Sequence, residues 1–235
     1  MDVNVLLFDD FETLDAFGPV EVLGKVEEYR RRYFSEYGGT VASAQKTVIV
    51  TEPATEADGG GILVVPGGKG TRRLAVFPPF LHFLRGMADD AEYCLSVCTG
   101  AALLAACGAL DGRRATSNKK SFAWVKSVRG AVGWEERARW VADGKFYTSS
   151  GVSAGMDMAL GFVSDRFGRS RAEGIAEQLE YVWNDDCTRD VFARKRGFFM
   201  AGIPARPAEP RHCGKNAFSA FCEERACYII EGRST

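Results

Sequence analysis

Histidine is almost absent from this chain: there are two in 235 residues, His82 and His212. Chemistry that relies on a histidine base, or a metal site built from several imidazoles, therefore has little to draw on. An excess of one charge is missing as well. Thirty Lys and Arg against 31 Asp and Glu leave a formal charge of −1, too little for a broad basic surface that would hold nucleic acid. No uninterrupted apolar run approaches the roughly 18–20 residues that span a bilayer. Met1-Asp2-Val3-Asn4 has neither the basic flank nor the apolar core of a secretion signal. These absences lead to the expectation of a cytoplasmic protein without a membrane or nucleic-acid partner. The seven cysteines are odd in number and show no framework spacing, so free thiols are expected in a reducing compartment.

What is present is ordinary for a globular domain with a real core: 46% hydrophobic and 26% charged residues. Apolar runs at Val3–Phe8, 62–65 and Tyr93–Val97 read as buried strands. Tyr33–Tyr37 and Thr47–Thr51 are further strand candidates. Helices are expected from Asp15 to about Arg31, with Pro19 acceptable only near the start, and over Gly70–Leu74, Pro78–Met87, Lys119–Val128, Ser153–Phe167 and Ser170–Trp183. Arg30–Arg32 reads as a solvated helix end. Asp143-Gly144 is a hairpin turn between Arg137–Ala142 and Lys145–Ser149. Strands alternating with helices predict an α/β layered sandwich with a mainly parallel central sheet, flavodoxin-like in arrangement. The pattern weakens from Asp185. A main domain over 1–184 and a C-terminal extension over 185–235, flexible where Gly and Pro are dense, are expected. Ile230-Glu231-Gly232-Arg233 matches a processing-protease site of the kind cloning vectors leave behind, and carries no weight for the fold.

The chain is organised around Cys98. Strand-favouring Tyr93–Val97 runs directly into helix-favouring Ala101 onward, with an end at Gly108 or Gly112. A cysteine at such a corner stands before the first helical N–H groups, whose partial positive charge favours a thiolate and predicts a lowered pKa. Cys94 and Cys107, inside the strand and helix patterns, read as small core hydrophobes.

The pattern S-V-C-T-G-A-x-x-L-A-A-x-G-x-L-D-G-R-R-A-T at 96–116 resembles the ThiJ/PfpI superfamily, and its Cys-Thr-Gly form looks most like the isonitrile (isocyanide) hydratase branch. Further matches stand in the family's order at 6–8, L-D-A-F-G-P-V-E-V-L (14–23), V-P-G-G-K-G (65–70) and T-S-S-G-V-S-A-G-M-D (148–157). The resemblance implies a glutamine-amidotransferase-like fold, a cysteine nucleophile, no metal or organic cofactor, a small-molecule substrate and a homodimer.

Asp15 alone would read as a helix cap. The family carries a carboxylate four residues before this proline, as Asp15 stands before Pro19, and the resemblance makes it the acid/base partner of Cys98. A carboxyl in a dry pocket beside a thiol should have a raised pKa. Glu12 is an alternative at the wrong spacing. Gly67 and Gly68 are a tight turn on residue grounds; by resemblance the Gly68 and Thr99 N–H groups form an oxyanion-like site. The Thr99 hydroxyl is a candidate partner for the sulfur or a substrate. Asn118 stands where the hydratase branch commonly has His, and Ser150 and Gly151 either line the pocket or simply lead into a helix. The family's peptidase-like branch has His directly after its Cys, where Thr99 stands here, so a Cys–His dyad is not expected. His212-Cys213 with Cys222 and Cys227 fits no standard zinc spacing.

Four functions compete. Hydration of an isocyanide to an N-formamide through a Cys98 thioimidate ranks first. A cofactor-free glyoxalase converting methylglyoxal to lactate ranks lower for want of a His. An oxidisable low-pKa Cys98 would make a redox sensor. The ligand-sensing domain of a transcriptional regulator is the fourth, discounted because the roughly fifty residues past Trp183 are Pro-rich without a clear helix pair.

Overall fold

The structure, a computed structural model, describes residues 1–57 and 59–193. Its centre is β1 (Asp2–Leu6), whose Val3, Val5 and Leu6 are fully buried, as a strand covered on both faces requires. Helix α1 (Thr13–Leu23) follows, and then β2 (Arg30–Ser35) pairs parallel to β1. The expected helix to Arg31 is thus too long. The chain turns at Gly24, and Arg30–Arg32 belong to a strand in register with Asp2–Asn4. The Arg30 guanidinium grips the Asp2 carboxylate at 3.0 Å, and Arg32 pairs with Glu52. Three arginines are tolerated there because cross-strand carboxylates meet two of them. Pro19 lies well inside α1, not near its start.

Beyond β2 the chain makes β3 (Gly39–Ala42), which had no clear sequence signal, and β4 (Val48–Pro53), an antiparallel pair. A single 3-10 turn (Ala54–Glu56) leads on to β5 (Ile62–Val65), then α2 (Gly70–Leu74), α3 (Pro78–Asp90), β6 (Tyr93–Val97) and α4 (Gly100–Ala106). A two-residue β7 (Arg114–Ala115), α5 (Phe122–Val128) and β8 (Gly133–Trp134) precede the hairpin of β9 (Trp140–Asp143) and β10 (Phe146–Ser149), which turns at Gly144 as its sequence dictates. Helices α6 (Ala154–Phe167) and α7 (Arg169–Gln178) complete the unit.

The main sheet has eight strands in the order β3-β4-β2-β1-β5-β6-β10-β9, parallel throughout except at its two outermost pairs. Helix α1 packs on α6 and α6 on α7, while α4 gathers α2, α3 and α5. This is the α/β sandwich expected. Among the described residues no helix is long and apolar enough to cross a membrane. Past α7 the backbone runs along the β9 side, where the Arg139 and Trp140 N–H groups donate to the Cys187 carbonyl at 2.8 and 3.3 Å. Residues 201–216 and the cysteines at 213, 222 and 227 lie outside the described residues.

Candidate active site

The C-terminal ends of β5 and β6 meet the start of α1, and sequence puts the reactive groups at those ends. Val97 is the last residue of β6 and Gly100 the first of α4. The chain must reverse direction within two residues, and Cys98 absorbs this with φ +56°, a left-handed conformation that a non-glycine residue adopts at a cost of about 1–3 kcal/mol. Its backbone is held from both sides. The Cys98 N–H donates to the Ser150 carbonyl at 2.8 Å, and the Ser117 hydroxyl donates to the Cys98 carbonyl at 2.5 Å. Ser150 in turn donates its N–H to the Arg139 carbonyl at 2.8 Å. Arg139 is itself buried against Asp157, with Nε 2.6 Å from the carboxylate.

Asp15 sits in the first turn of α1 and is fully buried. It caps nothing. Oδ2 accepts the Gly67 N–H at 3.0 Å, and the Cys98 thiol lies within hydrogen-bonding reach of the carboxyl. Burial pushes Asp15 up to about 7, against the lowering effect of the Gly67 and Cys98 contacts, with the Glu12 charge adding to the rise. Glu12 is not the partner of Cys98: its carboxylate accepts from Gln45 Nε2 at 2.7 Å.

The Cys98 pKa departs from the sequence expectation. It is raised, first by burial and then by the charge of Asp15; hydrogen bonds from the Thr99 N–H and hydroxyl only partly oppose this. The helix that was to lower it is short, and a carboxylate at the sulfur outweighs a few partial charges. At neutral pH the sulfur therefore keeps its proton, and the neighbouring Asp15 carboxyl, raised to about 7, is only partly ionised.

Gly67 and Gly68 are required by contact. A Cβ on Gly67 would stand 2.6 Å from the Thr99 nitrogen and 2.8 Å from Asp15 Oδ2, and Gly68 has φ +129°. The oxyanion arrangement differs from the one transferred by resemblance. The Gly68 N–H is engaged, donating to Thr99 Oγ1 at 3.1 Å. Thr71, which the sequence did not single out, donates to the Gly68 carbonyl at 2.7 Å and lies 3.0 Å from the Thr99 hydroxyl. The Thr99 N–H remains directed at the sulfur.

A cavity of about 360 Å³ lies beside the elbow, with Leu14, Asn118, Lys119, Ser150, Gly151 and Phe192 in its lining. Asn118 accepts the Ser121 N–H at 3.0 Å through Oδ1, and its amide nitrogen crowds Gly151. The structure thus brings Cys98, Asp15, Thr99, Gly67 and Gly68 into one bonded set, and Asn118, Ser150 and Gly151 to the adjoining cavity. Ser117 was passed over although it stands next to Asn118; a hydroxyl that serves a backbone carbonyl leaves no spacing signature. His82 is exposed on α3, and His212 lies outside the described residues. The four described cysteines are free, and no three His, Cys, Asp or Glu among the described residues converge to hold a metal.

Comparison with known proteins agrees with this fold. The profile of the DJ-1/PfpI family matches residues 1–165. An isonitrile hydratase of Pseudomonas putida is 32% identical over 185 residues, 77% of this chain and 79% of that protein. The HTH-type transcriptional regulator GbdR of Pseudomonas aeruginosa is 28% identical over 76% of this chain, which spans only 50% of the regulator. Among solved structures, a ThiJ/PfpI family protein from Pseudomonas syringae superposes with a TM-score of 0.68 at 28% identity, covering 77% of this chain and 74% of that one.

Proposed function

The chain belongs to the DJ-1/PfpI family, and on that premise we propose that it is a cysteine-dependent hydro-lyase that hydrates an isocyanide to an N-formamide. The observation that carries this reading is the pairing of Cys98, on its left-handed elbow, with a buried carboxyl whose pKa lies near neutrality. A group with a pKa near the working pH can both take and return a proton.

The steps follow from that pair. Ionised Asp15 takes the thiol proton as the Cys98 sulfur attacks the terminal carbon of R–N≡C, forming the S–C bond, and returns it to that carbon to give the thioimidate R–N=CH–S. Water then adds to the same carbon while Asp15 accepts its proton and passes it to nitrogen. Collapse of the R–NH–CH(OH)–S adduct breaks the C–S bond, carries the hydroxyl proton to sulfur and releases R–NH–CHO. The sum is one isocyanide and one water consumed. Splitting the hydration into two additions is the gain of covalent catalysis. The Thr99 N–H stabilises charge at the sulfur end, and the neighbouring cavity, with Leu14 and Phe192 on its wall, suits an apolar R group. The working unit is proposed to be a cytoplasmic homodimer, checked by sedimentation.

Two rivals lose ground on physical arguments. A glyoxalase of the His-assisted kind finds no histidine beside Cys98 among the described residues. A peroxide sensor needs an accessible thiolate, whereas Cys98 is buried and its pKa raised. A non-catalytic sensing module remains the second reading, favoured by the match to a transcriptional regulator. Incubation with cyclohexyl isocyanide separates the two. Catalytic formamide release, lost in Cys98→Ala and Asp15→Asn, supports hydration. A stoichiometric complex without turnover supports sensing and overturns the enzyme.

A further inference from the structure

Away from Cys98, the middle of β1 carries an anomaly. Asn4 is flanked by fully buried Val3 and Val5 and is itself only 4% exposed. Its Oδ1 is buried without a hydrogen-bond partner among the described residues. Leaving a buried amide unpaired is costly, and such a group in a central strand calls for an explanation. It has a cavity in front of it. About 240 Å³ opens between the sheet and α3, with Leu63, the register partner of Asn4 on β5, beside it. The far wall is one face of α3, Phe83, Gly86, Met87 and Asp90, at the i, i+3, i+4, i+7 spacing that aligns side chains along a helix. Gly86 leaves a notch in that face: a Cβ there would meet nothing within 4 Å.

We propose that this cavity is a second small-molecule site, taking a one-ring or similarly compact apolar ligand that carries an uncharged carboxamide. The lining is mostly apolar or small, with Leu63, Phe83 and Met87 in its walls and the side chains of Asn4, Thr55 and Asp90 as its few polar groups, the usual form of a ligand site. The volume lies just under the roughly 300–1,000 Å³ of drug-sized pockets, which limits the ligand to fragment size. Asn4 presents an acceptor and a donor side by side, so its complement is a donor and an acceptor on one planar group. A primary carboxamide supplies both. A carboxylate has no proton to give Oδ1 and, among the described lining residues, meets the like charge of Asp90 and no cation.

The test uses benzamide, benzoate and toluene on the purified full chain, read by thermal shift and by the amide resonances of β1, β5 and α3. Benzamide is expected to raise Tm saturably by a few degrees and to move those resonances, with benzoate and toluene at least tenfold weaker. Asn4→Leu should abolish the benzamide effect while leaving the free protein at least as stable. Gly86→Leu fills the notch at a position where leucine favours the helix, and should block binding with the fold intact. Absence of any saturable benzamide effect, equal binding of toluene or benzoate, or benzamide binding unchanged in both variants overturns the proposal; in the first case the cavity holds water only.

Discussion

Two cysteines four residues apart, Cys94 and Cys98, show what sets the proposed nucleophile apart from a core thiol. Cys94 lies inside β6, is fully buried, donates to the Ala88 carbonyl at 3.6 Å and is pushed up to about 12 by burial. Cys98 stands just past the same strand, 8% exposed, and its pKa is also raised. Burial and a high pKa therefore do not separate the two. The difference is the neighbour: a main-chain carbonyl beside Cys94, and beside Cys98 a carboxyl near neutrality that can relieve the thiol of its proton. In the proposed reaction the nucleophile is marked by its neighbouring carboxyl and by its strained backbone, and not by a ready-made thiolate.

Substitutions can break that contrast, starting with the most severe. Cys98→Ala should lower formamide production by at least about a thousandfold in a steady-state assay, since no other described thiol is hydrogen-bonded to a carboxyl. Asp15→Asn should cost about 100–10,000-fold in kcat/KM, the range of a lost general acid–base. In the wild type kcat/KM should rise with pH through about 7 as Asp15 ionises, and the variant should lose that limb. Its stability should move the other way. The folded state holds the Asp15 proton up to about 7, against an ordinary value of 3.8, so wild-type stability falls between about pH 4 and pH 7, where the unfolded chain has released its proton and the folded state has not. Asp15→Asn removes this slope, and urea titrations at pH 8 should find it more stable than wild type by up to about 4 kcal/mol.

Ser117→Ala tests the backbone half of the contrast. Loss of the hydroxyl on the Cys98 carbonyl should reduce kcat roughly tenfold with little change in KM, and cost about 1–2 kcal/mol in chemical denaturation. Cys94→Ala is the counterpart with the smallest effect on activity. It should keep kcat/KM within about threefold while lowering stability by about 1–2 kcal/mol, because it deletes a buried sulfur from a packed strand. A Cys94→Ala variant as inactive as Cys98→Ala would erase the distinction drawn between them.

Much of this was legible in the chain. The run at 62–65, the prolines opening α3, Asp143-Gly144 and the Tyr93-to-Gly100 junction each carry a local signal, and the structure has a strand, helix, hairpin or elbow at each. What failed was non-local. Arg30–Arg32 look like a solvated helix end until the carboxylates of Asp2 and Glu52 are brought alongside. β3 exists because β4 pairs with it. Asp15 reads as a cap until Gly67, 52 residues away, is seen to donate to it. The raised Cys98 pKa is non-local too: the helix start is visible in the sequence, whereas the depth of burial that raises the thiol most, ahead of the Asp15 charge, is set by the packed fold. Ser117 and Thr71 act through backbone carbonyls and a neighbouring hydroxyl, which no spacing rule reports.

The hydrogen bond from the Cys98 N–H to the Ser150 carbonyl also orders events in time. During synthesis the chain appears from its N-terminus, and Cys98 leaves the ribosome long before Ser150 does. Until the β9–β10 hairpin arrives and takes its place beside β6, that N–H has only water to donate to, and the strained elbow has no anchor on that side. A growing chain thus carries Cys98 as an ordinary cysteine and completes the elbow only when the last strand docks. The geometry on which the proposed chemistry rests is assembled late, when the neighbouring cavity is nearly complete.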